Sequence, residues 1–585
     1  MAYSKKHNKI LVRIVLSIIA IYFVIDIFGG YALETIVKNR LNSYVNDTPD
    51  RLYDISYRSM NISISARAVR LGKIKVVPRQ NAIDSIKNNK LSMLVYLEAD
   101  TFYFEGLSFL KVIFFNELKL EEIVSNNPVV KIYFNPKAKV SPKKSGVTSN
   151  VINENLNYGY IRHFNIENGN FYIYKVPSKD SLYFRLNSSS LIIEEIQISP
   201  KEKEQIEKVK FKTFHFTSGQ LYGNFVENYS LKADSINLDR DTRTLYIKDF
   251  SFKPKNFVMT NKKVQFAHDV LDAGVRDIFI KGISFKGNGK FFGYYASSIT
   301  IDKLDFKLST DKRLPKKMNR KPMLSEIIKK VPVPFAVDSV IIKESRILYN
   351  EIVSADKEPL KVLFTDVDLN IFNITNSPEM LKVEPELRIS GKTKFLDAGE
   401  LDISLNVPLT SKKEKMTVKG HLEEMPLEPI NKMLEGPLGV RFTSGKINNI
   451  DIHFIADSRH SKGKLLLDYN DLVIQIFKDK ETANKGVKER HKWFLNAIAN
   501  GIIKKNNNKD SDKFVTGIID YERPEDIALP GYIFRSVKSG LISTFKPGTR
   551  RKAIKEENIE KREEIKKENP KKKPKEKKSN KDKTG

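Results

Sequence analysis

Ile161-Arg162-His163-Phe164-Asn165-Ile166-Glu167-Asn168-Gly169-Asn170-Phe171-Tyr172 decides how this chain is read. Phe164 and Ile166 alternate with polar neighbours, an Asn-Gly pair interrupts, and the apolar pattern resumes at Phe171. A period of two marks a strand with one face turned to an apolar layer. Asn168-Gly169 suits a two-residue type I′ turn, whose central residues both need positive φ, so the segment reads as a hairpin. The same grammar returns in Val337-Asp338-Ser339-Val340-Ile341-Ile342-Lys343-Glu344-Ser345-Arg346-Ile347-Leu348. It appears again in Phe214-His215-Phe216-Thr217-Ser218-Gly219-Gln220-Leu221-Tyr222, and Phe442-Thr443-Ser444-Gly445-Lys446-Ile447 echoes it. Phe164, Ile166, Phe214, Phe216, Val340 and Ile342 are the candidates for one apolar lining.

A second unit, Ala99-Asp100-Thr101-Phe102-Tyr103-Phe104, parallels Ala233-Asp234-Ser235-Ile236-Asn237-Leu238 and Ala296-Ser297-Ser298-Ile299-Thr300-Ile301. Recurrent units of this kind predict one long, stacked antiparallel sheet in place of several unrelated domains. Residues 50–485, at about 12 residues per strand and turn, predict about 35 strands. Helical patterns are few: 107–115, 324–330 and 427–434. A sheet that curls into a gutter too wide for side chains to fill would leave an apolar wall suited to acyl chains. Alternation alone leaves open whether that wall is packed or ligand-lined.

Composition narrows the chemistry. With 585 residues, 40% hydrophobic and 29% charged, the chain can fold around apolar layers. Cys is absent, which excludes disulfides, thiolate metal sites and cysteine nucleophiles. The eight histidines form no HExxH motif. Gly287-Asn288-Gly289-Lys290-Phe291-Phe292-Gly293 has one residue too many for a dinucleotide loop and reads as a hairpin. Asp366 and Asp368 alternate along a strand, and Asp239 and Asp241 sit in a polar turn. No catalytic residue, metal or cofactor is expected. The net charge of +30 suits anionic partners. No nucleic-acid-binding motif accompanies it, so nucleic acid is not an expected partner.

Residues 1–34 read as a basic flank followed by a transmembrane signal anchor. Ile10, Ile14, Leu16, Ile18, Ile21, Phe23, Ile25 and Phe28 supply its apolar surface, with Lys5, Lys6, Lys9 and Arg13 before it. The basic flank places the N-terminus in the cytoplasm and the rest of the chain across the membrane. Residues 35–485 form the repetitive β body. Residues 486–548 carry two amphipathic patterns, with Trp493, Phe494, Phe534, Leu541 and Phe545 as membrane-surface or end-cap candidates. Residues 549–585 are a Lys/Glu-rich tail that reads as disordered.

The run Gly420-His421-Leu422-Glu423-Glu424-Met425-Pro426-Leu427-Glu428-Pro429-Ile430-Asn431 leads into Gly439-Val440-Arg441-Phe442. Ile450-Asp451-Ile452-His453-Phe454, Gly463-Lys464-Leu465 and Asp468-Tyr469-Asn470-Asp471-Leu472-Val473-Ile474 follow. Together with the anchor and the course of 99–134, this resembles the AsmA-like family of Gram-negative envelope proteins over about residues 8–545. The resemblance implies a single-pass inner-membrane protein whose periplasmic body is an elongated, curled β-groove of the bridge-like lipid-transfer type. It implies phospholipids and the inner membrane as partners, and outer-membrane or periplasmic proteins that complete the bridge. It brings no catalytic residues. The expected fold is therefore mainly β: an N-terminal transmembrane helix, an antiparallel β-groove, a few short helices and C-terminal amphipathic helices. The expected function is phospholipid binding and transfer between inner and outer membranes, in support of outer-membrane homeostasis. The alternative is a non-enzymatic scaffold or assembly factor for outer-membrane proteins.

Overall fold

Strands rich in Ile, Val, Phe and Tyr dominate the chain, and 25 of them join a large mixed sheet. The computed structural model describes residues 52–63, 67–106, 115, 117–138, 157–176, 182–199, 209–224, 228–255, 269–287, 292–314, 319–352, 357–438, 440–476 and 504–545. The anchor residues from Ile10 to Phe28, the helical pattern at 107–114, and Trp493 and Phe494 lie outside these. Among the described residues, no helix is long and apolar enough to cross a membrane. Two compact units account for the packing.

The first unit comprises residues up to 310 with 331–349 and 366–380. Its strands are longer than the sequence predicts, and this corrects the hairpin reading. Residues 161–172 lie within a single 18-residue strand, Tyr158–Lys175. Asn168 there has φ 52° and forms a bulge, not a turn, with the register to Leu182–Ile198 jumping between Ile166 and Phe171. A left-handed residue serves a bulge as readily as a type I′ turn, and only the partner strand decides between them. Glu344 occupies the same place in the 18-residue strand Phe335–Ile352, with φ 46°. Lys73, Ser188, Asp249 and Lys303 do likewise in their strands, with φ between 48° and 52°. Ser218-Gly219 divides two short strands, Thr213–Ser218 and Leu221–Gly223, that both pair with Leu182–Ile198.

Each such residue shifts the alternation by one, so both halves of a strand keep their apolar residues on one face. At Gly169 this is visible directly. A Cβ there would lie 3.1 Å from the Ile166 side chain and 2.8 Å from that of Phe171. Side chains also bond along the line of bulges: Asn127 donates to Asp100 at 2.9 Å, and Asn168 donates to Asn127 at 2.7 Å. The sheet is not wholly antiparallel, a second correction. Glu117–Asn126 and Val129–Phe134 both run parallel to Tyr158–Lys175. The glycine-rich run at 287–293 does join an antiparallel pair, with Gly287 opposite Phe292.

The second unit comprises 311–330, 350–365 and residues from 381 onward. Six strands from Glu386–Phe395 to Thr516–Glu522 form an antiparallel meander in chain order. Helices form at Leu324–Lys329 and Glu428–Leu438, close to the predicted positions. A third, Leu529–Phe545, packs on the last two strands. Ile518 and Asp520, on the outer edge of Thr516–Glu522, donate their amides to Ser543 Oγ (3.0 Å) and Ser539 Oγ (3.2 Å) of that helix. An edge strand that would otherwise present open donors is thereby closed.

Arg523 closes the loops beside it. It is 5% exposed and donates to the carbonyls of Ile527, Ser458 and Lys321, at 3.0, 3.0 and 2.7 Å respectively, while stacking over Tyr532. Burial holds its pKa below the usual arginine range. Arg523→Met keeps much of the volume but leaves these carbonyls without their donor. The expected loss is about 3 kcal/mol, read as a lower denaturant midpoint with an unchanged slope.

Candidate functional site

Register pairs in the first unit build a continuous apolar surface. Leu71, Phe102, Ser125, Ile166, Leu191, Phe216, Leu238, Leu245, Ile280 and Ile299 face one another in turn, one from each of ten strands. Ser125 is the one polar member, and it is buried. A second row, two residues along, runs Val69, Phe104, Ile123, Phe164, Ile193 and Phe214. Ile236, Ile247, Ile278 and Ile301 form a separate run on the opposite flank of the first row, where Ile236 stands opposite Ser218. Beyond the bulges a further row passes through Val76, Leu97, Val130, Phe171, Leu186 and Leu221.

Four of the six predicted lining residues therefore meet on this surface: Phe164 and Phe214 flank Ile193, and Ile166 and Phe216 flank Leu191. Val340 is buried and Ile342 half-buried in the strand Phe335–Ile352. The sequence reading missed Ile193, Leu191, Leu245, Ile280 and Ile299. Their local alternation was visible, but not the register that joins them.

Burial separates this surface from an ordinary core. All nine apolar members of the ten-strand row are half-buried. Of the ten largest fully buried side chains, only Val367 belongs to the first unit. The other nine, among them Phe454, Leu465, Tyr469, Ile519 and Tyr532, seal the core of the second unit. The rows thus have lateral apolar neighbours within the sheet and remain partly open to solvent.

The opposite face mixes polar and apolar side chains, with Ile192 exposed beside His215. His215 bonds Asp239 at 3.0 Å and approaches Asp241 at 3.6 Å. In the second unit, His421 bonds Asp451 at 2.6 Å and His460 bonds Asp520 at 2.5 Å. Asp239 has its carboxyl held below the usual range, chiefly by the amide of Thr242. Among the described residues, no group of three or more His, Asp or Glu could hold a metal ion.

The C-terminal candidates divide. Phe545 packs against Tyr469 with ring centres 5.9 Å apart, Leu541 is half-buried, and Phe534 is 54% exposed. The buried side of their helix is instead built from Tyr532, Ser536, Gly540, Ser543 and Thr544. Comparison with family models and with curated proteins gives no match to this chain.

Proposed function

We propose that this protein is an AsmA-like, inner-membrane-anchored periplasmic protein that binds and transfers phospholipid along the apolar face of its first unit. The observation that carries the reading is the ten-strand row from Leu71 to Ile299, nine of whose ten side chains are half-buried aliphatic or aromatic groups. At about 4.8 Å between strands, its nine intervals cover about 43 Å. That length accommodates several acyl chains side by side, and each methylene removed from water contributes about 0.8 kcal/mol. Headgroups would remain at the wet margin, and no catalytic step is required of any residue.

Site-specific photocrosslinking tests the reading by face. Benzoylphenylalanine at Phe216 is expected to form phospholipid adducts in cells, whereas the same group at Thr217, on the opposite face, is not. Protein adducts with no lipid at Phe216 would favour the scaffold reading. Lipid extraction from the purified full chain is expected to yield several phospholipids per chain, and a lipid-free chain would count against transfer.

A further inference from the structure

On the face opposite the apolar rows, a second row crosses six strands: Tyr96, Lys131, Tyr172, Arg185, Tyr222 and Lys232. Rings and cations alternate without an acid among them. Lys131 lies 5.0 Å from the ring centre of Tyr96, and Arg185 lies 5.8 Å from that of Tyr222. The first end is neutralised, because Tyr96 donates to Glu98 at 2.7 Å and Glu98 pairs with Lys75 at 2.7 Å. The other end opens into a cavity of about 420 Å³ lined by Tyr222, Ser230, Lys232, Ser251, Lys253, Pro254 and Lys255.

That cavity is cationic and hydroxylated. Among the described residues, Lys232, Lys253 and Lys255 have no ion-pair partner, and all three are exposed. Asp272, next to the Ala273 that pairs with Phe252, stands opposite Lys307. Ser230 Oγ donates to the carbonyl of Lys253 at 3.4 Å, and the Lys255 amide donates to Asn228 at 2.9 Å, fixing the backbone under two of the lysines. Arg185 Nε is buried without an acceptor among the described residues, beside the ring that forms one wall.

We propose that this cavity binds a phosphorylated sugar. Lys232, Lys253 and Lys255 would hold the phosphate oxygens by charge-assisted bonds, and Ser251 would donate its hydroxyl to the same group. The Tyr222 ring, backed by Arg185, presents an apolar wall to the sugar ring. The volume falls within the range of small-molecule sites, which favours one phosphorylated ring over a polymer track.

Saturation-transfer NMR on the detergent-solubilised full chain tests the proposal with glucose 6-phosphate, glucose, inorganic phosphate and phosphatidylglycerol vesicles as probes. Glucose 6-phosphate is expected to bind more tightly than glucose or phosphate alone. Lys232→Glu with Lys253→Glu should weaken it about a hundredfold, at about tenfold per charge-assisted bond lost. Tyr222→Leu should remove transfer to the ring protons. All three positions are solvent-accessible, so unchanged circular dichroism separates lost binding from lost folding. Absence of transfer to glucose 6-phosphate overturns the site, as does binding that survives these substitutions. Vesicle binding lost with the lysines, while glucose 6-phosphate is ignored, assigns the cavity to a lipid headgroup and overturns the sugar.

Discussion

Aspartate at both Leu191 and Leu245 is expected to empty the apolar face of phospholipid while leaving the protein folded. The two positions lie on the same row, separated by Phe216 and Leu238, so the new charges do not face each other directly. Each is half-buried, so water reaches a carboxylate there in the free protein. An acyl chain laid over the row would remove that water. Desolvating one carboxylate costs several kcal/mol, which offsets the burial of about four or more methylenes. Two such sites should reduce co-purifying lipid and Phe216 crosslinking at least tenfold. Lys248→Asp, on the other face of the same strand, reverses a charge without touching the row and serves as the control. Unchanged lipid content in the double variant would remove the row from the transport path.

The largest effect on stability is expected from Gly540→Val. In the helix Leu529–Phe545, a Cβ at Gly540 would sit 2.8 Å from Ile519 Cγ1 and 2.9 Å from Leu465 Cβ. Both neighbours are among the most completely buried residues of the second unit, at 1% and 0% exposure. Gly517 faces it, and a Cβ there would lie 2.4 Å from the Gly540 carbonyl oxygen. The helix approaches the sheet this closely because both contacting residues lack side chains. Its serines can then reach the amides of Ile518 and Asp520. A branched side chain would push the helix away and loosen these bonds, for a loss of about 3 kcal/mol or more. In a unit of this size that is a fall of roughly 6–12 °C in Tm, measurable by calorimetry. Gly531→Ala in the same helix meets only Ile527 Cγ2, at 3.2 Å, and should change stability by less than about 1 kcal/mol. Equal effects at the two glycines would refute the close-packing account.

Strand identity was legible in the sequence because it depends on neighbours two residues apart. Alternation alone places Phe164 and Ile166, Phe214 and Phe216 on one face, and the register pairs bring these four together. The helix at 529–545 was visible in its large apolar residues, yet its buried side is made of small ones. A helix seated on a sheet through Gly540 is selected by closeness of approach, which hydropathy does not record.

What the sequence by itself determined is local: a chain without cysteine chemistry, mainly β, built from repeated units each with a polar interruption. Only the tertiary structure decided that Asn168 and Glu344 are bulges within long strands. Positive φ is common to turn and bulge, and the choice depends on whether the partner strand continues past it. The same dependence governs the apolar surface. Ile280 and Ile299 join Leu71 on one row only because each strand keeps this register with the next. Register is a non-local quantity set by pairings between residues far apart in the chain, so no window of sequence contains it.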